Sequence, residues 1–325
     1  MKFLPQYRWI QFFILVISIL FQSSISKSWD KAFKIDKAGF SIKFRGLVLP
    51  YRVMGIFILP NEQIHLQAIN SNIQDSYILD AKQGKVILNG KNKWIWQAPT
   101  NPGLHPIKIF QLQPQDSIRM NVFVMAPFSN IKDGRLNGCD IGEYPTIPLK
   151  YANKKYKAPV GFIEVTKDNE NTWISPHFKL NQFLCKQNGD YPKYIVLKER
   201  LLLKLELILE LLNEKGIHCN TLKIMSGYRT PHYNKTIGNV KFSRHIFGGA
   251  ADFYVDVSPE DGMMDDLNGD GKINIKDAKM IYYHIESISD EPFYQSFIGG
   301  LAAYKKTASH GPFVHIDVRG YKARW

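Results

Sequence analysis

From about Ile35 to Ala126, apolar and polar residues alternate in short runs such as Phe40-Ser41-Ile42-Lys43-Phe44 and Met120-Asn121-Val122-Phe123-Val124. Clusters of Pro, Gly and Asn separate the runs. Period-two alternation sends every second side chain to one face of a sheet, so this region predicts antiparallel strands. Lys93-Trp94-Ile95-Trp96, followed by Ala98-Pro99 and Pro102-Gly103, predicts a strand that ends in turns. The pattern changes over 127–172, where Gly, Pro, Asn and Lys dominate; this stretch reads as an extended connection at a domain boundary. Beyond it, the Leu-, Ile- and Glu-rich stretch Tyr194–Leu212 predicts a helix stopped by Gly216. Apolar runs at 222–225, 253–255 and 313–318 predict strands, and no repeat of 20 to 50 residues is present.

The expected architecture is therefore two domains: an all-β sandwich over 35–126 that resembles an immunoglobulin domain, and an α+β domain over 173–325 built on a central antiparallel sheet. The first is either a wall-binding spacer or a packing domain without its own ligand.

The first 26 residues differ from the rest. Lys2 and Arg8 precede an apolar run from Ile10 to Leu20, interrupted by Gln11 and Ser18. The run is shorter than the roughly 20 residues that cross a bilayer, and Ser24-Ile25-Ser26 supplies small residues for cleavage. Residues 1–26 thus predict a signal peptide or, uncleaved, an anchor. The protein is expected to be exported to the periplasm or cell envelope.

Composition excludes global disorder, since 45% hydrophobic and 13% aromatic residues can form a core. The formal charge of +13 draws the chain to anionic surroundings. Export makes an anionic cell envelope the expected partner and argues against nucleic acid; scattered lysines also aid solubility. Cys139, Cys185 and Cys219 lack any C-x-x-C spacing, so no cysteine zinc site is expected. One disulfide is compatible with an oxidising compartment, and the sequence leaves the pair open.

Candidate chemistry lies in three segments: Ser226-Gly227-Tyr228-Arg229-Thr230-Pro231, the run from Ser243 through His245 and Gly248-Gly249 to Asp252, and Phe313-Val314-His315-Ile316-Asp317-Val318-Arg319-Gly320. These motifs resemble the D-alanyl-D-alanine carboxypeptidase family of zinc metallopeptidases over about residues 173–325. Two imidazoles and one carboxylate suit catalytic zinc, because three protein ligands leave a position for water. His245, Asp252 and His315 are the expected Zn2+ ligands. Gly248 and Gly249 permit the tight turn between the first two, with Asp252 expected to open a strand. Alternation sends His315 and Asp317 to one face, which gives Asp317 an expected supporting role beside the metal or a salt bridge with Arg319.

The resemblance implies that Arg229 contacts substrate, where a planar guanidinium suits a carboxylate or an oxyanion. Family members often carry Glu or His a few residues before the last ligand, whereas Pro312 and Phe313 stand here. His310 matches a histidine of some members and is the expected general base.

Between Asp252 and His315, residues 266–277 fit the spacing of an EF-hand loop and resemble the single loops of dockerin modules. Asp266, Asn268, Asp270, Lys272 (through its carbonyl), Asn274 and Asp277 are the expected Ca2+ ligands, with Gly271 at the sharp turn. Position 12 is Asp rather than the usual bidentate Glu.

The expected activity is hydrolysis of D-amino-acid bonds in peptidoglycan stem peptides, by a carboxypeptidase or a cross-link endopeptidase. The alternative is a cell-wall binding protein that keeps the zinc fold without efficient catalysis.

Overall fold

The computed structural model describes residues 33–70, 75–113, 115–146 and 156–325. The 1–26 segment lies outside the described residues, among which no helix is long and apolar enough to cross a membrane.

Among the described residues, nine strands occupy the N-terminal region: β1 (Lys37–Phe44), β2 (Leu47–Tyr51), β3 (Val53–Ile58), β4 (Gln63–Ile69), β5 (Tyr77–Ala81), β6 (Lys85–Leu88), β7 (Lys93–Gln97), β8 (Gly103–Gln111) and β9 (Asp116–Val124). They form one sheet of order β2-β1-β4-β7-β6 and another of order β3-β9-β8-β5. Alternation decides which residues turn inward: Ile42, Phe44, Trp96, Ile107, Ile109, Met120 and Val122 are all buried. The β3–β9 pair is parallel, an arrangement that alternation along one strand cannot specify.

The stretch read as a connection contributes structure of its own. β10 (Ala126–Pro127) pairs with β13 (Gly161–Val165), which pairs with β16 (Lys193–Ile195). Between β10 and β13 lies a short hairpin of β11 (Arg135–Leu136) and β12 (Cys139–Asp140); β14 (Trp173–Ser175) and β15 (Phe178–Lys179) follow. The helix expected from Tyr194 starts later, as α1 (Glu199–Glu214). Tyr194 and Ile195 belong instead to β16, where they face Glu164 and Ile163, because aromatic and β-branched side chains suit a pleated neighbour.

Helix α1 buries Leu201, Leu202, Leu205, Ile208, Leu209 and Leu212. Its polar groups reach the N-terminal sheets: Glu199 Oε1 accepts from Phe57 N at 3.0 Å, and Glu210 Oε1 accepts from Tyr51 Oη at 2.7 Å. Buried side chains of both regions join one continuous core.

The C-terminal sheet has the order β17 (Lys223–Ser226), β18 (Ala250–Tyr254), β20 (Phe313–Asp317), β19 (Gly300–Tyr304), β21 (Ala323–Arg324). Its pairings are antiparallel except β19–β21. α2 (Pro231–Thr236) follows β17, and α3 (Ile275–Ser287) packs on β19 and β20. Asp252 lies in the middle of β18 rather than at its start, since Ala250 and Ala251 already pair with Asp317 and Ile316.

Candidate metal centre

Strand register brings the predicted ligands together. Asp252 on β18 stands directly opposite His315 on β20, and Ser226 on β17 pairs with Asp252 from the other side. His245 arrives from the 3-10 turn Arg244–Phe247, which closes on Gly248 in the left-handed region at φ 64°. A Cβ at Gly248 would strike the Val196 carbonyl, so both the turn and the close approach require glycine there.

All three side chains are buried, and one ligand atom from each lies within 4.8 Å of the others. His245 Nε2 is 3.3 Å from Asp252 Oδ1 and 3.4 Å from His315 Nδ1. Tetrahedral ligands at about 2.0–2.1 Å from zinc stand about 3.3–3.4 Å apart, so these two separations fit one ion. The third, 2.7 Å between His315 Nδ1 and Asp252 Oδ1, is a direct hydrogen bond.

Each ligand is held from behind. His245 Nδ1 donates to the Gly227 carbonyl at 2.7 Å, which fixes the tautomer and leaves Nε2 with its lone pair toward the cluster. Arg229 Nη2 donates to Asp252 Oδ2 at 2.6 Å, and Arg229 Nε donates to Ser226 Oγ at 2.9 Å. His315 Nε2 is buried without a hydrogen bond, and Asp317 Oδ2 lies 3.5 Å away as the carboxylate that orients the ring. Asp317 is itself fully buried; it accepts from Gly300 N at 2.8 Å and from Arg319 Nε at 2.8 Å.

In the metal-free protein the electrostatics favour the metal-binding protonation states of Asp252 and His245, while His315 must give up a proton that its neighbouring carboxylates stabilise. Burial pushes the Asp252 carboxyl up, but His245 and His315 outweigh it and hold it well below the usual carboxylate range. Burial lowers His245 below its ordinary value, which keeps its Nε2 lone pair available. Burial also opposes a charge on His315, yet Asp252 and Asp317 raise it overall. Asp317 is held well down by His315 and Arg319 against its burial.

The remaining expected residues sit as follows. Arg229 is in the centre, with its guanidinium spent at least in part on Asp252. Asp317 is buried rather than on a surface salt bridge. His310, on the loop before β20, is half-buried; its Nδ1 pairs with the Gly311 carbonyl at 2.8 Å and its ring edge meets Phe313 at 5.0 Å. It makes no hydrogen bond to the three ligands.

In the 266–277 loop, Asp266 accepts from the backbone N–H of Gly269, Asp270 and Gly271, while Asp277 caps α3 and accepts from Leu267 and Asn268. Asn274 caps α3 through Lys276 N, its Nδ2 donates to the Lys272 carbonyl at 3.0 Å, and Asp270 takes the Lys276 ammonium at 3.0 Å. Among the described residues the His245, Asp252 and His315 group alone has metal-holding spacing, so Asp266, Asp270 and Asp277 do not converge.

Sequence reasoning missed the parts that five residues play. Gly227 supplies the carbonyl under His245, and Ser226 steadies Arg229. Gly299 and Gly300 leave room for Asp317, whose backbone or carboxylate would collide with a Cβ at either. Trp325 brings its ring 5.4 Å from His315, beside the stacked Tyr304–Phe313 pair at 4.7 Å. The adjacent glycines before a strand were the one readable signal.

A peptidase M15 family model matches residues 176–265. The match takes in Arg229, His245 and Asp252 and ends before the 266–277 loop and His315. Peptidases of this family are zinc-dependent, and the match supports a metallopeptidase. No protein of curated function matches the chain. Among solved structures, the crystal structure of titin M3 domain is similar at 9% identity, covering 26% of this chain and 97% of that one with a TM-score of 0.18.

Proposed function

We propose that the chain is a zinc peptidase that hydrolyses D-amino-acid peptide bonds in bacterial peptidoglycan stem peptides, as a DD-carboxypeptidase or a cross-link endopeptidase. One observation carries the reading: the buried donor atoms of His245, Asp252 and His315 converge within 4.8 Å of one another, with two of the three separations suited to a single ion. When bound, zinc supplies a Lewis acid and lowers the pKa of a coordinated water to about 7.

The chain's own groups do the rest. Gly227 and Asp317 orient the two imidazoles, and Arg229 fixes the carboxylate while offering its remaining N–H groups to a substrate oxygen. His310 is the proposed proton carrier on the loop leading into β20. Tyr304, Phe313 and Trp325 form an aromatic wall against which a substrate side chain can exclude water. The reading includes export to the cell envelope, on the charged-then-apolar layout of residues 1–26, and a spacer or wall-binding role for the N-terminal strands.

The experiment is incubation of the purified, zinc-loaded protein with muropeptides, followed by mass spectrometry. Loss of terminal D-Ala or splitting of dimers, abolished in His245→Ala, supports the proposal; turnover unchanged in His245→Ala removes it. A second reading, a wall-binding protein with the zinc fold and little catalysis, is favoured by Pro312 and Phe313 standing where the family often has Glu or His. Tight binding to isolated walls without turnover selects it.

Ca2+ at the 266–277 loop is a subsidiary part of the reading, supported by the spacing of its ligands along the sequence and by Gly271 at φ 76°, and it requires Asp266, Asp270 and Asp277 to draw together on binding. Calorimetric titration with Ca2+ tests it: heat lost in an Asp266→Asn, Asp270→Asn variant upholds the site, and absence of heat in the parent removes it.

A further inference from the structure

The three cysteines are thiols in the structure, and two of them share a cavity. It has a volume of about 320 Å³ and lies between the β11–β12 hairpin, which carries Cys139, and the segment from Cys185 to Tyr194. Hydrogen bonds hold its two walls together. Gln187 Nε2 donates to the Asp140 carbonyl at 3.0 Å, and Asn137 Nδ2 donates to the Tyr194 hydroxyl at 2.6 Å. The carbonyl of Ile141, just past the hairpin, accepts from His232 N at 3.0 Å.

The thiols themselves are neighbours. Burial raises the Cys139 thiol above its ordinary value, the Tyr194 N–H opposes the rise, and the Cys185 sulfur is close enough to add to it. Burial raises Cys185 as well, against N–H groups of Thr230 and Gln187. Cys219 stands apart. It lines another cavity with His218 and Asn220, and Asn213 grips its main chain, donating to its carbonyl at 2.7 Å and accepting from its N–H at 3.2 Å. Of the three conceivable pairs, Cys139 with Cys185 is the one that lines a shared space.

We infer that Cys139 and Cys185 are the site of a disulfide that clamps the β11–β12 hairpin to the segment bracing Tyr228 and Thr230, on either side of Arg229. A hairpin with two residues in each strand has few bonds of its own to hold it. Cys185 lies between two residues that touch the arginine's neighbours: the Phe183 carbonyl accepts from Tyr228 N at 3.0 Å, and Gln187 Oε1 accepts from Thr230 Oγ1 at 2.6 Å. A cross-link there fastens the chain on which this part of the motif rests. The inference concerns a covalent bond and does not depend on hydrolysis of any peptide.

The bond forms by thiol–disulfide exchange with a small disulfide such as oxidised glutathione. The Cys139 thiolate is half-buried and the more accessible of the two; it attacks first and expels one glutathione thiolate. The Cys185 thiolate then attacks the Cys139 sulfur, forms the Cys139–Cys185 bond and expels the second. Two electrons pass to glutathione, and the two protons that the cysteines lose end on its two thiols.

The test is equilibration of the full chain with oxidised and reduced glutathione, alkylation of the remaining thiols in denaturant with N-ethylmaleimide, digestion without reductant, and peptide mapping by mass spectrometry. A linked Cys139–Cys185 peptide with Cys219 alkylated is expected. The cross-linked form should melt roughly 5 °C above the reduced form, because the bond closes a long loop and restricts the unfolded chain. Cys139→Ser should remove both the linked peptide and the redox dependence of melting, whereas Cys219→Ser should keep both. Alkylation of both Cys139 and Cys185, a persistent glutathione adduct at either, a bridge to Cys219, or a bridged form that melts with the reduced one overturns the inference.

Discussion

Arg229 and Asp252 are joined across the floor of the metal centre, with Nη2 2.6 Å from Oδ2, so the arginine holds the carboxylate oxygen that turns away from the two imidazoles. Ser226 steadies the guanidinium from the other side. A residue that the motif suggests for substrate contact is therefore also a positioning residue. Arg229→Ala is expected to weaken zinc about 10–100-fold, the usual cost of losing such a partner. Competition with a chromophoric chelator measures it; unchanged zinc affinity with a raised KM would leave Arg229 a substrate contact alone.

Asp317 makes the corresponding contact behind His315 and carries Arg319 as well. Asp317→Asn keeps the shape but removes the charge, leaving Arg319 without its partner. Stability is expected to fall by about 1–3 kcal/mol, and zinc affinity should fall with it. Urea unfolding of the metal-free protein reads the first effect and chelator competition the second. A variant with parental stability and zinc affinity would show that Asp317 does neither.

Gly248 carries the turn from His245 to Asp252. Alanine there faces both a positive φ and the Val196 carbonyl, so Gly248→Ala is expected to cost about 1–3 kcal/mol and to displace His245. Thermal unfolding and zinc binding should both decline. A stable variant with full zinc affinity would mean that the turn relaxes without moving its ligand.

Lys204 lies buried in α1, where its ammonium donates to the Asp317 carbonyl at 2.8 Å and stands 5.2 Å from the centre of the Tyr294 ring. Burial pushes it down to about 7; Asp317 opposes the shift, while Arg324 and Arg319 add to it. An unfolded lysine titrates near 10.4, so between about pH 7 and 10.4 the unfolded chain binds more protons and stability rises with pH. Below that window the cost of burying the charge is fully present. Lys204→Met removes the titrating group, so the stability difference between this variant and the parent should shift steadily in the parent's favour as pH rises from 7 to 10. A constant difference in urea midpoints across that range would contradict it.

The convergence of His245, Asp252 and His315 was legible because their motifs are local: His245, Gly248 and Asp252 lie within one turn and strand, and His315 within another. The alternating runs likewise revealed most N-terminal strands, since inward residues such as Ile42 and Phe44 follow period two. What escaped was set by contacts distant in sequence. The parallel β3–β9 pair, the short β16 and the Gly227 carbonyl depend on register and neighbours that no single segment encodes. Arg229 and Asp252 were each visible as chemistry, but their pairing was not. The expected helix start failed at Tyr194 because a paired strand won over a run that also suits a helix.

Asp252 and His315 are directly cross-strand, and neighbouring side chains on a strand point to opposite faces. A slip of one residue between β18 and β20 would swap the imidazole for Val314 or Ile316 and leave the carboxylate facing an aliphatic chain. A bound ion would thus act as a checksum on sheet assembly: a mispaired molecule would have nowhere to load metal, so metal occupancy would report correct threading of the polypeptide as well as readiness for chemistry.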